Sequence, residues 1–224
     1  MARIIDLTLT LRPGMRGFES EPKFLFGRDG WNASTLHLYS HCGTHMDAQI
    51  HFEAGPETID QHPPERCMGA AWQVNLAGIG PKALIEISHL GKVADQLIPG
   101  ESLLLRTDWS RHVDDPSIYR DAMPRISEPL ARWCVEKRVK ILGVEPPSVA
   151  DVNHKPEVTL IHKILLGGNV VIVEGLTQLD QLRAEKLFFV ALPLKPLRGD
   201  GCPCRALAIE GIPSDGWLGP FAKP

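Results

Sequence analysis

Apolar residues fall in short runs along most of the chain. Runs rich in β-branched and aromatic side chains, most of them bounded by Gly or Pro, read as strands. They lie at 3–11, 34–39, 71–76, 83–87, 102–107, 140–144, 169–173, 187–192 and 205–209. Helical spacing is scarcer. The segment 127–138 opens at Ser127, a candidate N-cap, with Pro129 tolerated in the first turn. The segment 156–166 starts on proline and stops at Gly167-Gly168, the usual asymmetry of helix ends. Residues 178–186 read as a third helix, and 89–97 as a further candidate. Strands dominate the first half, and strand–helix alternation begins near residue 127, so the pattern predicts a mixed α/β fold. No repeat, low-complexity tract or long linker divides it, and one domain over 1–224 is expected. The turn-rich tail after Gly211 is expected to wrap the surface or a partner.

Composition narrows the function classes. A hydrophobic share of 43% and a charged share of 23% are those of a globular protein with a buried core. A formal net charge of −3 gives no attraction to nucleic acid or to an anionic membrane surface, and neither is an expected partner. No apolar run reaches the length of a membrane span. The opening "MARIIDLTLTLRPG" reads as a strand ending at a Pro-Gly turn, without the features of a secretory signal. Five irregularly spaced cysteines make no disulfide framework, which points to a reduced, cytoplasmic setting. Cys202-Pro203-Cys204 lacks the second pair that a structural zinc site needs.

One stretch departs from this ordinary background. "SHCGTHMDAQIHF", residues 40–52, carries His41, His45, Asp47 and His51, all at odd positions. In an extended chain alternate side chains point one way, so all four would project together. In a helix, at roughly 100° per residue, Asp47 and His51 would oppose His41 and His45. Imidazole and carboxylate are ligands that Zn²⁺, Mn²⁺ and Fe²⁺ accept, and a His-x₃-His-x-Asp run closes a chelate with little loop entropy. The competing reading is a polar surface loop. Cys42 falls in the opposite register and is expected to pack.

Such an ion would need further ligands to be enclosed. In "PEVTLIHKILL", Val158, Ile161, His162 and Leu165 share one helical stripe, which puts His162 on the buried face. It reads either as a core histidine bonded to a backbone carbonyl or as a ligand. Glu174 closes the apolar run "NVVIVEG" and reads either as a solvated strand end or as a functional acid.

The motif resembles the H-x-G-T-H-x-D-x-P-x-H signature of the cyclase-like metal-dependent hydrolases, a family that includes bacterial kynurenine formamidases and isatin hydrolases. The resemblance extends to "IIDLTLTLRPGM", "NVVIVEGL" and "ALPLKPLRGDGCPCRALAI". It implies an α/β single domain with a mixed, barrel-like sheet and flanking helices (the swivelling β/β/α arrangement). It also implies two divalent ions, Zn or Mn, with His41, His45 and Asp47 holding the first. Asp47 would bridge to a second held also by His162, and Glu174 would contact both. His51 would be the catalytic acid/base and Phe18 a substrate contact. The implied reaction is hydrolysis of an amide-type C–N bond in a small molecule: an aryl formamide such as N-formylkynurenine, or a cyclic imide or lactam such as isatin. A cyclase or dehydratase, or a lactone or ester hydrolase, would use the same ligands, and a metal-stabilised binding protein is a third reading. A homodimer or homotetramer is expected. Gln49 replaces the motif proline, Glu145 stands where aspartate is common, and "GMRGFESEP" departs from the family loop.

Overall fold

The short apolar runs pair until the sheet closes on itself. The computed structural model describes residues 2–212. In chain order the strands are β1 (Arg3–Asp6), β2 (Phe18–Phe24), β3 (Ala33–Leu38), β4 (His45–Asp47), β5 (Met68–Asn75), β6 (Leu84–Ile85), β7 (Ser102–Arg106), β8 (Arg125–Ile126), β9 (Ile141–Val144), β10 (Val171–Glu174), β11 (Lys186–Pro193) and β12 (Gly201–Glu210). The helices are α1 (Phe26–Asp29), α2 (Val93–Gln96), α3 (Pro116–Tyr119), α4 (Glu128–Glu136) and α5 (Lys155–Gly167).

The barrel runs β4-β12-β11-β5-β7-β9-β10 and back to β4. Its β5-β7-β9-β10 segment is parallel and the remaining pairs are antiparallel. Closure depends on the length of β12. Residues 201–203 pair with β4, and residues 207–210 pair on with β1. The expected α/β fold with a mixed barrel and flanking helices is the fold observed.

Period-two alternation sorts the side chains between two cores. Leu104, Ile141, Val171, Val173, Met46 and Phe189 fill the barrel interior. Leu103, Leu105, Leu142, Val144 and Ile172 face outward and are covered by Leu130 and Trp133 of α4 and Ile161 and Leu165 of α5. Burying both faces explains why the parallel strands read as continuous apolar runs. Helix α4 is capped as its sequence predicts, with Ser127 Oγ accepting from Leu130 N–H at 3.2 Å.

Several expected elements differ. Residues 178–186 hold only a 3₁₀ turn, Leu179–Gln181, before β11, and the apolar positions there serve the barrel core rather than a helical stripe. Residues 89–97 break into a 3₁₀ turn, Ile87–Leu90, and the short α2, because Gly91 takes φ 53° between them. The first strand ends at Asp6, with only an isolated Thr8–Leu176 bridge beyond it. Strand β2, "FESEPKF", carried no signature: it is mostly exposed, contains Pro22, and pairs only with β3. Most of the tail after Gly211 lies outside the described residues. Among the described residues no helix is long and apolar enough to cross a membrane.

Candidate active site

Strand register does the first part of assembling the site. In the β10–β4 pair, Glu174 lies opposite His45 and Ile172 opposite Asp47. Directly opposed residues share a face. That face is the helix-covered outside of the barrel, because Met46 and Val173 take the inside. Helix α5 lies over it and supplies His162 from its buried stripe.

The chain does not run extended through the histidine motif. An extended path from 41 to 51 would spread the side chains over about 33 Å, too far to converge. Only His45 and Asp47 sit in strand register. His41 precedes them across a turn in which Gly43 takes φ 60°, and His51 follows on a 3₁₀ turn, Gln49–Phe52. Gln49 ties that turn to the end of α5. Its Nε2 donates to Leu166 O at 3.3 Å and to Asn169 Oδ1 at 3.1 Å.

Five side chains converge. His45 Nε2 is 3.2 Å from Glu174 Oε2 and 3.7 Å from Asp47 Oδ1. His162 Nε2 is 3.4 Å from Glu174 Oε1 and 3.7 Å from Asp47 Oδ2. His41 Nδ1 is 2.9 Å from Asp47 Oδ1. The His45 and His162 tautomers follow from their other nitrogens. His45 Nδ1 donates to Gly43 O at 3.0 Å, and His162 Nδ1 donates to Val158 O at 2.7 Å. A carbonyl can only accept, so in the neutral ring the lone pair lies on Nε2, free for a cation between it and the carboxylates; with no cation there, a protonated Nε2 donates to Glu174 instead. His162 is thus both things its sequence suggested, a buried histidine on a backbone carbonyl and a member of the cluster.

The charges are arranged to keep both acids ionised. Burial alone would push the Asp47 carboxyl up, but the His41 hydrogen bond and three neighbouring imidazoles hold it well below the usual range. Burial and the Asp47 charge push Glu174 up, yet bonds from His162 and His45 leave it lowered. Burial opposes charge on His41, but Asp47 and then Asp200 raise it to about 9. His51 moves the other way: burial lowers it most, the Asp47 charge opposes this, and the His41 and His162 charges tip it downward. The shift favours the neutral form of His51, whose ring stacks on His41 at 3.8 Å between centroids.

The donor set fits a divalent cation. Among the described residues three groups converge closely enough to hold one: His41–His45–Asp47 and Asp47–His162–Glu174, which are the more buried and share Asp47, and His41–His51–Asp200 at the cavity side. Asp47 Oδ2 is buried with no hydrogen-bond partner among the described residues. A buried carboxylate oxygen left bare is costly unless a cation occupies it. Imidazole nitrogen with carboxylate oxygen suits zinc and manganese alike.

The cluster opens on a cavity of about 510 Å³, walled by Met15, Tyr39, Phe52, Tyr119 and Val158, with Arg12 and Arg16 also lining it. His41, His45, His51, His162 and Glu174 face it. Phe18 does not: it is buried as the first residue of β2. Elsewhere in the chain, Trp109 is core, Trp72 donates to Glu101, and Phe24 packs on Trp31. Sequence reasoning missed Phe52, whose ring stacks on His162 at 4.2 Å, although it adjoins the motif. It also missed Asp200, flanked by glycines in "RGDG" and brought beside His41. Cys42, Cys202 and Cys204 are buried thiols and join no metal-competent group.

A closed mixed barrel with a histidine–carboxylate centre under one helix defines the class: an α/β-barrel hydrolase. The chain belongs to the cyclase family, whose profile, described as "Putative cyclase", matches residues 5–151. It is 32% identical over 186 residues to a kynurenine formamidase of Bordetella petrii, covering 80% of this chain and 81% of that one. A kynurenine formamidase of Erythrobacter litoralis is 28% identical over 93% of this chain and 94% of its own. Isatin hydrolase A from Ralstonia solanacearum superposes with a TM-score of 0.84 at 25% identity, covering 93% of this chain and 92% of that chain. These relatives are hydrolytic enzymes, and this chain is one too.

Proposed function

We propose that the protein is a metal-dependent hydrolase that opens an amide-type C–N bond in a small substrate, an aryl formamide or a cyclic imide or lactam. The observation that carries this reading is the bare Oδ2 of Asp47 within three imidazoles and a second buried carboxylate, beside a neutral histidine at a cavity. His41, His45 and Asp47 would hold one ion, and Asp47, His162 and Glu174 a second, as Zn²⁺ or Mn²⁺. Bound there, such ions supply Lewis-acid polarisation and a water of lowered pKa. The kynurenine formamidase and isatin hydrolase relatives point to the amide class.

His51 does the proton work. It is partly exposed to the cavity, and its lowered pKa favours the neutral form that can accept a proton from the attacking water. It then donates that proton to the departing nitrogen, which leaves poorly as an anion. Phe52 and Tyr119 supply apolar walls for an aromatic acyl or aryl group. Phe18, buried here, would reach substrate only through a rearrangement of β2.

A homodimer or homotetramer is part of the proposal. The β2–β3 hairpin and its α1 tip expose Phe26, Trp31, Leu36 and Tyr39, apolar surface that a second copy would cover. Sedimentation reads the assembly directly. The five unpaired thiols suit a cytoplasmic setting, and the whole chain, 1–224, is taken as one domain.

The test uses His51→Ala against a formamide, a cyclic imide and an ester with a good leaving group. Wild type should release one acid equivalent per turnover of the amide-type substrates. The variant should keep its metal and lose roughly 10²–10⁴ in kcat, with the larger loss on the amides. Loss of metal from His51→Ala would make it a ligand. Turnover without acid release would favour a cyclase or dehydratase instead.

A further inference from the structure

Two of the three imidazoles in the cluster have a backbone carbonyl to fix them. His41 has none. Its Nδ1 faces Asp47 Oδ1 at 2.9 Å, and its Nε2 faces Asp200 Oδ2 at 3.1 Å. We propose that Asp200 is a positioning residue for the metal centre, its carboxylate holding the Nε2 proton of His41 so that Nδ1, bonded to Asp47 while no cation is bound, is the nitrogen that turns a lone pair to a cation. This rests on the metal reading above and adds the partner that reading lacks.

The surroundings of His41 are built for one ring orientation. His51 stacks on one face. Gly201 lies against the ring: a Cβ added there would stand 2.6 Å from His41 Cε1 and 2.8 Å from Met46 O, so the ring or the backbone would have to shift. The carboxylate beside it is held in turn. Ala48 N–H donates to Asp200 O at 2.9 Å, which anchors the backbone whatever the side chain, and Ser40 Oγ donates to Asp200 Oδ2 at 3.4 Å. Asp200 Oδ2 is also 3.8 Å from His51 Nδ1, so one oxygen lies near both a ligand and the acid/base. Histidine ligands commonly donate their second N–H to a carboxylate or carbonyl, which raises their basicity and fixes the tautomer. Here the backbone performs that duty for His45 and His162, and a side chain on the far β11–β12 connection performs it for His41.

The experiment measures Zn²⁺ and Mn²⁺ affinity by chelator competition on wild type, Asp200→Ala, Asp200→Asn and His45→Ala. Asp200→Ala should bind the metal about 10–100-fold more weakly than wild type. Asp200→Asn should recover part of that loss, because its amide oxygen still accepts from Nε2–H. With Co²⁺ loaded, the absorption bands of Asp200→Ala should shift while its metal-free thermal midpoint stays at the wild-type value. Equal affinity of wild type and Asp200→Ala would overturn the inference while leaving the metal reading intact. A wild type that binds no more metal than His45→Ala would overturn both. Asparagine no better than alanine would remove the acceptor role.

Discussion

Glu145 and Glu174 follow the same plan and end differently. Strands β9 and β10 are parallel neighbours; Glu174 closes β10 and Glu145 follows the last residue of β9. Both are buried, with exposures of 1% and 3%. Burial pushes the Glu145 carboxyl up, and it stays raised although four neutral donors bind it: Thr107 N and Oγ1, Trp109 N and Ser110 Oγ, at 2.7–3.1 Å. Glu174 has one backbone donor, Val149 N at 2.8 Å, and two imidazoles, and it is lowered. Neutral donors engage both oxygens of Glu145, three on Oε2 and one on Oε1, and no imidazole is among them. The Glu174 corner, with the bare Oδ2 of Asp47 beside it, keeps coordination capacity free. Burial of an acid at a strand end therefore does not mark a site; the partners it lacks do.

Glu174→Gln breaks this contrast most severely. The amide keeps the shape and can still accept from Val149 N–H, but it removes a charge and an anionic ligand. Metal content should fall, and hydrolysis by at least about 10³, equivalent to roughly 4 kcal/mol of transition-state stabilisation. Elemental analysis and kcat on one preparation check it, and full metal content would show Glu174 to be as structural as Glu145.

Glu145→Ala should do the reverse. It strips the acceptor from four buried donors, at about 3 kcal/mol after relaxation, which is a fall of roughly 6–12 °C in Tm for a chain of this size. Metal per folded protein should stay at the wild-type level. An unchanged melting temperature would show these bonds to be energetically idle.

His62 sharpens the comparison with the smallest effect. It is buried with neither ring nitrogen hydrogen-bonded among the described residues, and Nε2 stands 3.6 Å from Glu57 Oε2, beyond hydrogen-bond reach. Burial lowers its pKa, and the Arg66 charge adds to the lowering. A folded pKa below the unfolded value of about 6.5 means the stabilisation is present above pH 6.5 and is lost as pH falls through the folded value. His62→Leu should flatten the acid side of a stability–pH curve by less than the Glu145 loss. An unchanged acid limb would show that His62 does not titrate against folding.

Much of this was legible in the sequence, for local reasons. The strand runs of the barrel stand out because their faces are both buried, which makes them apolar throughout. His162 was placed on a buried face by helical spacing, and Glu174 at a strand end by the run before it. The motif itself named His41, His45, Asp47 and His51, but not the path joining them. Strand β2 was invisible because little of it is buried, so no alternation was imposed on it. Residues 178–186 misled because apolar spacing that serves a barrel wall can imitate a helical stripe.

The sequence by itself determined the ligand types, the strand run that ends at Glu174 and the helix face that carries His162, because these depend on neighbours within a few residues. Tertiary structure decided everything that needed closure. The β10–β4 register set Glu174 opposite His45, and α5 laid His162 over them. The β11–β12 connection carried Asp200 to the free nitrogen of a histidine 159 residues away. No local pattern encodes that contact, since a polar residue between two glycines has the same signature whether it meets water or a ligand. Only the closing of the barrel, with β12 pairing both β11 and β4, brings the two together.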